Sequence, residues 1–208
     1  EMTSSLVGSE MCIRDSRYSA QDEAALGEVM DVIASGISTL TNPRKIASTM
    51  NSVHGTTTCD TTVDKYIGYA EEAFILTRVK RYNVKGRKYI GTPYKIYFED
   101  IGLRNARLAF RQIEGTHIME NIIYNELRFR GYQVDVGTVE SRERDAGGKE
   151  VRIQREIDFI ATLGSKKYYI QSAYAIPDKE KYEQETMSFE RTTDSFKTVS
   201  YTHLRAHE

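Results

Sequence analysis

REIDFIATLGSKKYYIQSAYA, residues 155–175, decides how the second half of the chain is read. Two runs rich in β-branched and aromatic residues flank Gly164-Ser165, which is the composition of two short strands joined by a tight turn. Asp158 lies in the first strand. Gln171 lies in the second, where another acid would complete a pair of hard oxygen donors for a divalent cation.

Working outward, QIEGTHIMENIIYNELRFRGYQVDVG, residues 112–137, reads as a long helix running into a strand. Ile118, Met119, Ile122, Ile123 and Leu127 are expected to form its buried stripe, and Gly131 to end it as a C-terminal cap. Glu120 falls among those apolar positions, so its carboxylate is directed toward the protein. A charged, glycine-containing loop over residues 140–149 precedes the hairpin, and a charged helix from Pro177 to about Arg191 is expected after it.

The first half has a different pattern. Ala25, Val29, Val32, Ile33 and Ile37 recur at three- and four-residue steps, which predicts an amphipathic helix over residues 22–40. Thr41-Asn42-Pro43 supplies a cap residue followed by proline at the first helical position, and the short helix that opens there should stop near His54-Gly55. Asp60 or Thr61 can cap a further helix with Val63, Ile67, Ala70 and Phe74 on its core face. Residues 78–100 then alternate around Lys85-Gly86-Arg87, a hairpin signal.

Between Phe74 and Phe98 stand Arg78, Lys80, Arg81, Lys85, Arg87, Lys88 and Lys95, with no acid among them. Two helices and a basic hairpin match a winged helix-turn-helix that neutralises DNA phosphates. Thr62, Lys65, Arg81, Lys85, Arg87 and Lys88 are the candidate contacts, with Thr61, Asp64 and Tyr66 beside them on the helix start. A hairpin with lysines that protect a solvated edge is the plainer alternative.

The formal net charge is −1, so nucleic-acid affinity must come from a local patch rather than from the whole chain. No apolar run is long enough to span a bilayer, and no membrane partner is expected. Cys12 and Cys59, without CxxC spacing, argue for a reducing compartment, the cytoplasm. Both ends look foreign. SSLVGSEMCIRDS and VSYTHLRAHE resemble peptides translated from sequencing-adapter DNA, so residues 1–16 and 199–208 are set apart and a longer natural protein is expected. His203 and His207, four residues apart, are therefore assigned no metal.

The order helix, strand, loop, strand, turn, strand, helix, with Glu120, Asp158 and Gln171, resembles the restriction-endonuclease-like core of the PD-(D/E)XK superfamily. That resemblance implies a catalytic and metal-binding set of Glu120, Asp158 and Gln171 around Mg²⁺, which activates water and steadies phosphoryl charge. It also implies a lysine two residues beyond the last acid. Here Gln171 takes the acid's place and Ala173 the lysine's, so Lys166, Lys167 and Lys179 are the candidate substitutes. Glu156 is set on the opposite face of its strand from Asp158 and left out of the ligand set.

A longer resemblance rests on YAEEAFILTRVKRYNVKGRKYIGTPYKIYFEDIGLRNARLAFRQ, residues 69–112, continued by HIMENIIYNELRFRGYQVDVG and EIDFIA…YYIQSAY. It is similar to a C-terminal domain-of-unknown-function region of bacterial and archaeal AAA-type ATPases and covers nearly all of residues 22–198. This implies an α+β chain: a winged helix-turn-helix over residues 17–110, then a restriction-endonuclease-like α/β domain over residues 111–198. It further implies an upstream ATP-binding module, because GxxxxGK[ST] does not occur here. TTDSFKTV resembles the beginning of a next strand cut short, so the sheet is expected to lack its last strand. The expected function is a DNA-linked accessory region of an AAA-type ATPase with an inactive nuclease-like core. A Mg²⁺-dependent nuclease and a protein-interaction module are the alternatives.

Overall fold

The computed structural model describes residues 20–55, 57–144, 150–173 and 197–202. Three helices come first: α1 (Ala20–Ser35), α2 (Pro43–His54) and α3 (Asp60–Glu72). Strands β1 (Leu76–Asn83) and β2 (Lys88–Phe98) follow as a hairpin, then α4 (Ile101–Arg107), α5 (Gly115–Phe129), β3 (Gln133–Arg144), β4 (Glu150–Leu163), β5 (Lys166–Ala173) and β6 (Lys197–Thr202). The result is a mixed α+β architecture. All six strands lie in one sheet in the order β2-β1-β3-β4-β5-β6, with β1–β3 and β5–β6 parallel and the other pairs antiparallel.

Local chemistry explains most boundaries. The Asn42 side chain accepts from the Lys45 N–H, Pro43 opens α2, and Gly55 closes it in the left-handed conformation at φ 67°. Cys59 holds the cap position of α3, one residue before the expected acid. Gly131, at φ 83°, turns the chain from α5 into β3, as expected. Phe74 departs from expectation. Helix α3 ends at Glu72, the N–H groups of Phe74 and Ile75 bond back to the carbonyls of Glu71 and Ala70, and Phe74 takes φ 55°. Its ring is therefore 84% exposed rather than in the core.

Two cores share strand β2. Val29, Ile33, Ile37, Ile46, Met50, Val63, Ile67, Leu76, Ile96 and Phe98 fill the space between the first three helices and the hairpin. Val79, Tyr97, Tyr124, Leu127, Val136 and Phe159 fill the space between α5 and the sheet. Tyr94, Lys95, Ile96, Tyr97 and Phe98 are all buried in sequence because both faces of β2 are covered, as in a sheet with helices on each side. Tyr97 stacks on Tyr124 with ring centroids 4.3 Å apart. Each fully buried side chain of this size contributes about 1.5–3 kcal/mol.

The buried face of α5 is Glu120, Asn121, Tyr124 and Leu127; of the expected stripe only Leu127 is buried, while Ile122 is 52% exposed and Ile118, Met119 and Ile123 are only partly covered. Asn121 explains the rotation. Its amide accepts from Phe98 N–H and donates to Phe98 C=O, both at 2.8 Å, which satisfies two backbone groups at the end of β2.

The sheet also extends beyond β5. A sixth strand pairs parallel with β5 from Tyr168↔Lys197 to Ala173↔Thr202, so the last strand expected to be missing is present, and it runs into residues read from sequence as foreign. The loop expected over residues 140–149 begins later, because β3 continues through Arg144 in register with β4; residues 145–149 and the charged helix expected from Pro177, with Lys179, lie outside the described residues.

Candidate functional site

Strand β4 carries a bulge where the candidate site lies. Asp135 pairs with Ile160 and Gly137 with Ile157, so Asp158 and Phe159 together stand opposite Val136. Gly137 permits this close approach: a Cβ there would meet the Ile157 Cβ at 2.8 Å. Ile157 and Ile160 then join Val84, Val139 and Tyr169 in a third, smaller cluster, while Phe159 packs with Tyr97 and Tyr124 between α5 and the sheet.

Asp158 and Glu120, named from the sequence, come together, and a lysine not foreseen joins them. Lys95 Nζ lies 2.9 Å from Glu120 Oε1, 2.5 Å from Glu156 Oε1 and 3.8 Å from Asp158 Oδ1. Lys95, Glu120 and Asp158 are 4%, 5% and 8% exposed. Tyr97 donates its hydroxyl to Glu120 Oε1 at 2.6 Å. Asp158 Oδ2 accepts from both the N–H and the hydroxyl of Ser172, each at 2.8 Å. Gln171 lies alongside, its Oε1 3.4 Å from the Asp158 N–H.

Setting Glu156 apart from Asp158 was incorrect. Residues two apart on a strand share a face, and both carboxylates reach the same ammonium.

One buried ammonium faces three carboxylates. Burial opposes the charge on Lys95, yet the acids around it outweigh that and raise its pKa. Burial is the largest influence on Glu120, with Lys95 opposing it and Asp158 adding repulsion, and its pKa is pushed up to about 7. Tyr97 is held well above its usual range by burial and by Glu120, so it stays a hydrogen-bond donor.

A divalent cation does not fit this donor set. Glu120 Oε1 is shared by Lys95 and Tyr97, Asp158 Oδ2 is taken by Ser172, and the ammonium holds the centre. Among the described residues no three acid, histidine or cysteine side chains are arranged to hold a metal.

The basic candidates separate. Lys85, Arg87 and Lys88 are exposed at the tip of the β1–β2 hairpin, and Lys80 is exposed further along β1. Arg81 is 8% exposed, and its guanidinium donates to the carbonyls of Pro93 at 2.9 Å and Thr92 at 3.4 Å, which withdraws it from any phosphate. Thr62 is half-buried near the start of α3, and Lys65 is exposed with its ammonium 5.4 Å from the Tyr69 ring centroid.

Cys59 carries a signal that the sequence did not give. Hydrogen bonds between its Sγ and the Thr61 and Thr62 hydroxyls, each at 3.1 Å, lower the pKa of this exposed thiol to about 7. Among the described residues no helix is long and apolar enough to cross a membrane.

A family profile described as a domain of unknown function (DUF8612) matches residues 9–114. An uncharacterized protein of Haemophilus influenzae is 31% identical over 186 residues, which is 89% of this chain and 42% of that relative. The chain thus spans less than half the length of this relative. No solved structure matches.

Proposed function

The chain belongs to the DUF8612 family, a domain of unknown function, and on that premise we propose that it is a DNA-contacting, non-hydrolytic accessory region of a larger, cytoplasmic ATPase of the AAA type. The observation that carries this reading is the sorting of cations on one hairpin. Lys80, Lys85, Arg87 and Lys88 face outward, with no ion-pair partner among the described residues. Lys95 of the same hairpin faces inward and neutralises the carboxylates that a nuclease would offer to a metal.

On this reading α2, α3 and the β1–β2 hairpin act as a winged helix. Helix α5 with β3–β6 keeps an endonuclease-like scaffold that holds the hairpin in place. The length of the Haemophilus relative beyond the match leaves room for an ATP-binding module. DNA affinity should fall with salt in proportion to the phosphates contacted, with a slope of about −0.9 per contact for a duplex. Anisotropy of a labelled duplex across a salt series tests this: Lys85→Glu with Lys88→Glu should weaken binding and flatten the slope by about two. Binding with an unchanged slope, or no salt-dependent binding by the wild type, would remove the reading.

A further inference from the structure

Tyr89 lies across the sheet instead of standing up from it. Its ring starts on β2, yet its hydroxyl donates to Asp135 Oδ2 at 3.1 Å and accepts from Gln133 Nε2 at 3.2 Å, both on β3. In the sheet order β2-β1-β3 those strands are two spacings apart, about 9–10 Å. Only a side chain laid flat over β1 spans that gap. Tyr82 of β1, the ladder partner of Tyr89, meets the ring edge-on at a centroid distance of 5.2 Å and an interplanar angle of 68°.

The ring is thus fixed at both ends, and Tyr89 is still 52% exposed. With the hydroxyl engaged and one side packed on Tyr82, what remains open is a ring face turned to solvent. The surface around it is basic. Val79, Arg81 and Asn83 take the buried face of β1, which puts Lys80 and Tyr82 on the face that carries Tyr89. Lys80, Lys85, Arg87 and Lys88 are exposed, and the Lys167 ammonium of β5 sits 5.7 Å from the Tyr82 ring centroid. No acid occurs between Phe74 and Phe98. Asp135, the acid in contact with Tyr89, is half-buried and turned to its hydroxyl.

A fixed aromatic face beside a row of cations is complementary to a base and its phosphates. Every base offers a π-face, and a ring already held in place loses little freedom on stacking. A duplex hides its base faces within the stack, so only an unpaired strand can use this surface. We infer that the Tyr89 ring is a stacking platform for a base of single-stranded DNA, with Lys80, Lys85, Arg87 and Lys88 taking the flanking phosphates. The inference rests on the proposed DNA contact of the hairpin and deepens it by naming the form of DNA that the hairpin takes.

The full chain is titrated with labelled oligothymidylate and, separately, with a labelled duplex. Tyr89→Leu removes the ring and leaves every charge, so it should weaken oligothymidylate binding roughly tenfold with the salt slope unchanged. Lys85→Glu with Lys88→Glu should instead flatten that slope by about 1.4, at about −0.7 per phosphate contact on a single strand. The chain contains no tryptophan. Tyr89→Trp therefore places the sole indole in the platform, and oligothymidylate should quench its emission as it binds. This second variant keeps an aromatic face and reads the contact directly, whatever the leucine variant does to folding.

Wild-type affinity for oligothymidylate in Tyr89→Leu, or binding by Tyr89→Trp with its emission unmoved, overturns the platform. If the lysine pair is impaired all the same, the DNA reading stands without it. Duplex binding without oligothymidylate binding has the same meaning. A wild type that binds neither probe overturns both.

Discussion

Replacing Lys95 by methionine keeps most of the side-chain volume and removes the ammonium from between Glu120, Glu156 and Asp158. With Lys95, Glu120 and Asp158 all less than a tenth exposed, the charges left behind cannot be solvated easily. Breaking a buried pair by removing one partner costs about 3–5 kcal/mol, against a total of about 5–15 kcal/mol for a typical domain. The loss depends on pH. Without the ammonium, which holds the Glu120 pKa down, Glu120 binds its proton still more tightly in the folded state than in the unfolded chain, so the variant regains stability as pH falls. Urea unfolding followed by far-UV circular dichroism should show the full loss near about pH 8 and roughly half or less near about pH 5. Adding Glu120→Gln should recover part of it, because one buried negative charge is then gone. A loss under about 1 kcal/mol at both pH values would refute the reading of Lys95 as the internal counter-ion.

The neighbouring groups make further expectations. Glu120, raised from 4.5 to about 7, holds a proton in the folded state that the unfolded chain has released. Its contribution to stability is therefore full below about pH 4.5 and lost as pH rises through about 7, and Glu120→Gln should flatten that part of a stability–pH curve. Asn121→Ala strands the Phe98 N–H and removes a donor from its carbonyl in a buried setting. The expected cost in denaturant unfolding is about 1–3 kcal/mol per stranded group, and a surface-like value near zero would count against the packing of α5 on β2. Cys59 should be alkylated by iodoacetamide with a midpoint near pH 7, rising as pH rises, and Thr61→Val with Thr62→Val should move the midpoint toward that of an ordinary thiol.

The parts of the fold governed by local chemistry were readable from sequence. Asn42-Pro43 started α2, Gly55 and Gly131 ended their helices, and Lys85-Gly86-Arg87 and Gly164-Ser165 marked the two hairpins. Glu120 was rightly directed inward. Lys95 was missed because alternation gives no cue in a strand covered on both faces, so it read as one more cation of a basic hairpin. Arg81 was misplaced for a different reason: it shares the buried face of β1 with Val79 and Asn83, opposite exposed Lys80, but an arginine reads as a surface cation unless the carbonyls that take its guanidinium are known. The α5 stripe was misjudged because hydropathy favours isoleucine over glutamate and asparagine, whereas the polar partners on β2 decided the rotation. The spacing of Glu156 and Asp158 did contain the information that they share a face, and that information was misapplied; the bulge at Asp158 had no local signal beyond Gly137. Gathering of Lys95 with Glu156 and Asp158, 61 and 63 residues further along the chain, requires the β2-β1-β3-β4 order, which no local pattern encodes.

The most direct test of the central claim, that Lys95 occupies the place a metal would take, is a calorimetric Mn²⁺ titration of the full chain beside its Asp158→Ala variant. Wild type and variant are expected to give the same heats, with no binding that depends on Asp158. Saturable binding by the wild type that disappears in Asp158→Ala would contradict the claim and return the centre to catalysis.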